Sequence, residues 1–185
     1  LCVADVVGKG ITAALLMANL QAAVRAFASP AAEPSEVCAR LNEVILGNVA
    51  TGKFITLFYA VLDTRERTLR YCNAGHNPPF LIRESGEVEL LAEGGAVLGV
   101  FADWSYQQGS VVLDSGDRVI IYSDGLSEAR NSSDEEYSDE RLARLLIEHR
   151  SLHARELQEY VFQHVARFCR GEFHDDATML LVSVK

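Results

Sequence analysis

Three aspartates border strongly apolar runs of the chain: Asp5, Asp124 and Asp175. Asp5 and Asp124 each follow such a run, and Asp175 precedes one. Runs of this kind predict buried strands, so we expect each carboxylate where the core meets water. Gathered carboxylates repel one another unless a cation joins them, and hard divalent cations prefer oxygen ligands. The sequence therefore predicts a metal-dependent active site built from strand ends.

Each aspartate also has an ordinary structural explanation. Asp124-Gly125 is a strong turn signal, although the segment after it does not have the pattern of a partner strand. A plain turn equally explains Asp5, and Asp175-Asp176 is typical of a solvated loop end. The metal-site hypothesis depends on the joint occurrence of the three acids, with glycines beside two of them.

Gly8-Lys9-Gly10 follows the first apolar run and precedes a helical segment. A nucleotide phosphate loop is excluded, because Val3 and Gly10 occupy positions that its pattern reserves for glycine and for serine or threonine. The glycines allow the backbone to approach a ligand, and the helix start offers N–H groups to an anion. A tight strand-to-helix turn explains them equally well.

His76 lies at the end of a predicted strand, just before Pro78-Pro79. A histidine there is either a hydrogen-bonded turn residue or a ligand, and the sequence leaves both open. The other histidines lack ligand spacing. No Ser/His/Asp or Cys/His set has a recognisable spacing, so the sequence offers no activated nucleophile.

The periodicity predicts an α+β layered fold in one domain, residues 1–185. Phe54–Asp63 is apolar on both alternating sets and therefore covered on both faces, and a short turn pairs it antiparallel with Thr68–Ala74. The segment from Gly10 to Ala28 is apolar nearly all round, which predicts a buried helix with an alanine row for close packing. Further predicted elements are a strand over Leu1–Asp5, helices over Pro34–Gly47, Asp139–His149 and Ala154–Cys169, and strands over Pro79–Arg83, Val88–Leu91, Ser105–Leu113, Asp117–Ser123 and Thr178–Val184.

Composition narrows the function classes. A net charge of -9 without a basic stripe argues against nucleic-acid binding. The four cysteines are far apart and form no C-x-x-C pair, which favours reduced core thiols and a cytoplasmic protein. The longest apolar stretch is too short to span a membrane.

Four motifs together resemble the metal-dependent protein phosphatases related to type 2C, and more closely their bacterial SpoIIE branch. They begin at Asp5 (Asp-Val-Val-Gly-Lys-Gly), Asn73 (Asn-Ala-Gly-His-Asn-Pro-Pro), Tyr122 (Tyr-Ser-Asp-Gly-Leu) and Asp175 (Asp-Asp-Ala-Thr-Met). They stand in the family's order across the whole chain. The resemblance implies an α-β-β-α sandwich of two antiparallel sheets flanked by helices.

The resemblance also implies a hydrolase that removes phosphate from phosphoserine or phosphothreonine. Two manganese or magnesium ions would activate a water that attacks phosphorus, with no covalent phospho-enzyme. Typical substrates of this branch are phosphorylated anti-sigma-factor antagonist proteins, so the implied role is signal transduction. By motif position, Asp5, the carbonyl of Val6, Asp124 and Asp175 would be the catalytic metal ligands. Supporting roles would fall to Gly8, Lys9, Gly125, His76 and Asp176.

Three departures from the family pattern stand out. Val7 replaces a histidine that many relatives offer as general acid, and His76 replaces an aspartate that they link to a third metal. The family's first strands would precede Leu1. We therefore expect them, and an upstream sensory or receiver domain, outside this sequence; the alanine row is compatible with a homodimer. The rival hypotheses are a non-catalytic binding module of the same fold and, more weakly, a hydrolase of small phosphate esters.

Overall fold

The computed structural model describes residues 1–48 and 52–185. Within these residues the chain forms nine strands and five helices, divided between two compact units. Unit 1 comprises Leu1–Pro78 and Leu91–Leu113, and unit 2 comprises Pro79–Leu90 and Asp114–Lys185. The strands of unit 1 are β1 (Cys2–Val6), β2 (Ile55–Asp63), β3 (Thr68–Ala74), β6 (Gly94–Gly95) and β7 (Gly109–Val112), and its helices are α1 (Ile11–Phe27) and α2 (Pro34–Leu46). Unit 2 contains β4 (Phe80–Ile82), β5 (Val88–Leu90), β8 (Arg118–Tyr122) and β9 (Met179–Ser183), with α3 (Asp124–Ser127), α4 (Asp139–Glu148) and α5 (Ala154–Phe168).

Unit 1 is built on a sheet of order β1-β2-β3-β6, with β7 also paired to β3. Every pairing is antiparallel except the short parallel contact of β3 with β6. Both alternating sets of β2 are buried, as predicted: Ile55 and Leu57 join the core under α1 and α2, and Phe58 and Ala60 are buried as well. The side chains of β2 therefore fix this strand at the centre of its sheet.

Helix α1 differs from its prediction. Ala13, Leu16, Leu20 and Ala23 are buried against the sheet. The opposite side is exposed, including Ile11, which is 81% exposed, and Leu15, at 66%. The helix is thus half-buried, and the side that the sequence predicted to be covered has no cover within the described part of the chain. The exposed alanine row consists of Ala14, Ala18, Ala22 and Ala26.

Unit 2 is built on an antiparallel sheet of order β5-β4-β8-β9. Strand β8 is central and all five of its residues are buried. The amphipathic helices α4 and α5 bury leucines and valines against this sheet, and α4 begins where the hydroxyl of Ser138 accepts a hydrogen bond from the amide of Arg141. The two sheets with their flanking helices confirm the α+β fold class.

The cysteines agree with the reduced state predicted for them, because all four are free. Cys38, Cys72 and Cys169 are buried, whereas Cys2 is exposed rather than part of the core. A hydrogen bond with Cys72 and, after it, burial raise the pKa of the Cys38 thiol far above its usual range. A thiol held neutral in this way behaves as a small apolar core residue.

Candidate active site

Ser123 joins two of the predicted acidic segments in unit 2. It follows the last residue of β8 and precedes Asp124, the first residue of α3. Its hydroxyl donates to the backbone carbonyl of Asp176 at 2.7 Å and accepts from the backbone N–H of Thr178 at 2.8 Å. Its own N–H donates to the carbonyl of Thr178 at 3.0 Å. Three hydrogen bonds therefore hold the Asp175-Asp176 segment beside the backbone that carries Asp124.

Gly125 explains how closely the two segments approach. A Cβ atom placed on Gly125 would lie 2.5 Å from the backbone oxygen of Asp176 and 3.0 Å from the nitrogen of Ala177. Both atoms belong to backbone, which cannot swing aside as a flexible side chain can. Its φ angle lies outside the left-handed region, so glycine is required here for space. Asp124-Gly125 starts a short helix, not the hairpin turn that the dipeptide alone suggests.

Several acidic side chains lie near Asp124. Burial, followed by the charges of Asp124 and Glu136, raises the pKa of the Glu128 carboxyl. On the other side, the hydroxyl of buried Tyr122 donates to Asp139 at 2.9 Å. Acids concentrated in this way repel one another, and a divalent cation would relieve that repulsion.

Asp5 and His76 are brought to one face of the sheet in unit 1. Asp5 lies on β1 directly opposite Thr56 on β2, so their side chains share a face. The hydroxyl of Thr56 is 3.0 Å from Nδ1 of His76. Val6, the predicted carbonyl ligand, follows Asp5 and pairs with Ile55.

His76 is a buried residue of a well-defined turn. Its side chain and backbone are only 4% exposed. The side chain of Asn73 accepts from the His76 N–H at 2.7 Å and donates to the His76 carbonyl at 3.0 Å, closing the turn through Gly75. These hydrogen bonds support the turn explanation of His76, and its ring contacts Thr56, the residue that pairs with Asp5.

Gly8 and Lys9 lie in the loop that links β1 to α1. Gly8 has a positive φ of 93°, a conformation that glycine adopts without strain. A Cβ atom at this position would collide with Nζ of Lys53, so the lysine ammonium lies directly against the loop. Lys53, Ser123 and Thr56 have no recognisable signal in the sequence, because each acts through a partner remote in the chain.

The structure thus gathers the predicted residues into two groups, one in each unit. Asp124, Gly125, Asp175 and Asp176 form the first group, and Asp5, Val6 and His76 the second. Among residues 1–48 and 52–185, no group of three or more histidine, cysteine, aspartate or glutamate side chains is arranged to hold a metal ion by itself. In the same residues, no helix combines the length and apolar character needed to cross a membrane.

Comparison with known proteins decides the family. The family of Stage II sporulation protein E (SpoIIE) matches residues 1–185, the whole chain. The chain belongs to the SpoIIE family. The phosphoserine phosphatase RsbU of Bacillus subtilis is 33% identical over 187 residues, an alignment that includes 100% of this chain and 55% of RsbU. The chain therefore spans about half the length of this curated relative.

Solved structures show the same fold. The SiaA-PP2C domain of Pseudomonas aeruginosa superposes with a TM-score of 0.83 at 21% identity, over 100% of this chain and 75% of that one. A structure of the RsbU and RsbW domains of a Mycobacterium tuberculosis protein gives a TM-score of 0.82 at 28% identity, over 97% of this chain and 51% of that one. The SpoIIE-family chain thus has the PP2C-type fold that the sequence motifs implied.

Proposed function

We propose that this SpoIIE-family chain is a metal-dependent protein serine/threonine phosphatase. The observation that carries the proposal is the hydrogen-bonded connection, through Ser123, of the Asp124 backbone to the Asp175-Asp176 segment. Family membership over the full chain and a phosphoserine phosphatase as a 33% identical relative support it. A module that only binds a partner has no use for this concentration of mutually repelling acids.

The residues present fit a hard divalent cation. The family is metal-dependent, and the candidate donors are all oxygens, which suit manganese or magnesium. We propose two such ions, with Asp5, the carbonyl of Val6, Asp124 and Asp175 as ligands. When bound, the ions would supply an activated water and offset charge on the phosphoryl oxygens.

The protein residues supply position and local charge. Ser123 fixes the separation of the two acidic segments, and Gly125 lets their backbones touch. Asp176 orients Asp175, because its N–H donates to Oδ1 of Asp175 at 2.9 Å. We propose that His76 supports Asp5 through Thr56, which contacts His76 and pairs with Asp5 across the two strands. Gly8 and Lys9 are proposed to support Asp5 from the loop that follows β1.

The proposed substrate is a phosphoserine or phosphothreonine of a small anti-sigma-factor antagonist protein. The match to RsbU and the motif resemblance support this choice over a small phosphate ester. Free cysteines support a cytoplasmic setting. We also propose that a sensory or receiver domain regulates the chain from an upstream position, and that the protein forms a homodimer.

The test is manganese-dependent hydrolysis of an aryl phosphate and of a phosphorylated antagonist protein by the chain and by Asp124→Asn. We expect the variant to lose activity by about 100-fold or more, because it removes one ligand charge from the site. Asp103→Asn is the matched control, since this exposed aspartate has a positive φ that asparagine tolerates. Equal activity of Asp124→Asn and the unchanged chain would disprove the proposed site, and binding of the phosphoprotein without turnover would favour the non-catalytic module.

A further inference from the structure

Unit 2 contains a cavity at the end of β8 farthest from Asp124. Its volume is about 550 Å³, within the range of small-molecule sites. Arg118, the first residue of β8, lines this cavity, whereas Asp124 lies two residues beyond the last. A five-residue strand is about 17 Å long, so the cavity is separate from the candidate active site.

Arg118 is a buried cation without a counter-ion. It is 9% exposed, and its Nη2 donates to the carbonyl of Leu152 at 2.6 Å. Nη1 is buried and has no hydrogen-bond partner, and no carboxylate among the described residues forms an ion pair with Arg118. Burial lowers the pKa of this guanidinium. A buried charge is costly unless it is paired, and Arg118 lines the cavity, where an anionic group can reach this side chain.

Arg150 adds a second cationic group to the same cavity. Backbone carbonyls hold its guanidinium in place: Nη1 donates to Ile147 at 3.1 Å and Nε to Glu84 at 3.4 Å. Arg83 also lines the cavity, but its guanidinium is committed to Asp117 at 2.7 Å and to Glu89 at 3.1 Å. Of the three arginines that line the cavity, Arg118 and Arg150 are therefore the two that can bind an anionic ligand.

The other residues that line the cavity limit the charge of the ligand. The carboxylates of Glu84 and Glu148 oppose the three arginines, so the lining favours one anionic group over a polyanion. The hydroxyls of Ser115, Ser151 and Ser183 are further donors, and Ile82 and Val184 offer apolar surface.

We propose that this cavity binds a small molecule through a single oxyanion group, a phosphate or a carboxylate, held by Arg118 and Arg150. This proposal does not depend on the proposed phosphatase activity, and the two are tested by separate experiments. Guanidinium groups form strong charge-assisted hydrogen bonds with both oxyanions, so the lining alone accepts either.

The test is isothermal titration calorimetry of the chain with inorganic phosphate and, separately, acetate, in metal-free buffer at constant ionic strength. We expect saturable one-to-one binding of at least one anion, and the anion that binds identifies the ligand class. Arg150→Gln and Arg118→Gln should each weaken the affinity about tenfold, the loss expected for one charge-assisted hydrogen bond. Arg155→Gln removes an equal charge from an arginine that is 89% exposed and outside the cavity, and should bind as the unchanged chain does.

Two results would overturn the proposal: no binding of either anion, or the same affinity in Arg150→Gln and the unchanged chain. Arg150 is exposed, so its replacement tests the site even where Arg118→Gln does not fold. Arg118→Lys keeps the charge and should recover part of the affinity.

Discussion

At the scale of single residues, Gly125 makes the sharpest prediction. An alanine in a helix normally stabilises it by about 1 kcal/mol relative to glycine. Here the added Cβ would press against the backbone of Asp176 at 2.5 Å, so the Asp175-Asp176 segment must move. We expect Gly125→Ala to lower both the melting temperature and kcat/KM, the latter by about 10- to 100-fold.

The matched control for this change is Gly47→Ala. A Cβ atom at Gly47, the residue that follows α2, would come no closer than 3.7 Å to a neighbouring atom. This variant should keep full activity. A Gly125→Ala protein as active as Gly47→Ala would show that the close approach has no part in catalysis.

Ser123 makes a second prediction at this scale. Ser123→Ala removes the hydroxyl that bonds both Asp176 and Thr178, which should cost about 1–2 kcal/mol of unfolding free energy. The loosened acidic segment should also weaken manganese affinity about 10- to 100-fold. Denaturant unfolding and manganese titration of activity measure the two effects, with exposed Ser133→Ala as control. Unchanged manganese affinity together with lower stability would limit Ser123 to a structural role.

At the scale of elements, Glu33 connects the start of α2 to β3. Its carboxylate accepts from Gln108 and from Arg70, each at 2.6 Å, and these bonds lower the pKa of Glu33. A lowered folded-state pKa stabilises the protein above the unfolded-state pKa of about 4.3, and this contribution disappears as the pH falls through the folded-state value. Glu33→Gln should therefore lower the melting temperature at pH 7, and by progressively less as the pH falls below the unfolded-state pKa of about 4.3.

The control for Glu33→Gln is Glu66→Gln, at an exposed site in the turn between β2 and β3. Added salt should reduce the effect at pH 7, because Glu33 is partly exposed and its ion pair is screened. An equal decrease in melting temperature at pH 3 and at pH 7 would contradict an electrostatic role for Glu33.

Sequence periodicity predicted most elements to within a few residues, and the two it missed share a cause. Strand β6 is only Gly94–Gly95, which has no side chains to form a pattern, and it exists because Gly94 can lie against the backbone of Asn73. Helix α3 was hidden by the turn signal of Asp124-Gly125. Such elements are set by backbone contacts across the chain, which local sequence does not encode.

At the scale of the whole molecule, apolar cores in both units predict that folding does not require metal. Each unit buries its own cluster of leucine, isoleucine and valine side chains. Removing divalent cations with a chelator should abolish phosphatase activity and leave the far-UV circular dichroism spectrum unchanged. Readdition of manganese should restore the rate, and unfolding on chelation would give the ions a structural role.

The candidate acids were identified from sequence, whereas their supports were not. Asp5, Asp124 and Asp175 are recognisable because each adjoins an apolar run in the sequence, although the structure places Asp5 inside β1. The roles of Ser123, Thr56 and Lys53 depend on strand register and on loops that meet only after folding. Burial of Arg118 without a counter-ion is likewise a tertiary property, since arginine at a strand start is unremarkable in a sequence.

The order of the units along the chain restricts how the protein can be divided. The polypeptide leaves unit 1 after Pro78, returns at Leu91 and leaves again after Leu113. A fragment ending at Leu113 would retain the β4–β5 hairpin but lose β8, the strand on which β4 pairs. That hairpin would then carry an open apolar edge prone to aggregation. Truncated proteins and gene fusions should therefore never separate the β4–β5 hairpin, residues 79–90, from residues 114–185, on which it pairs.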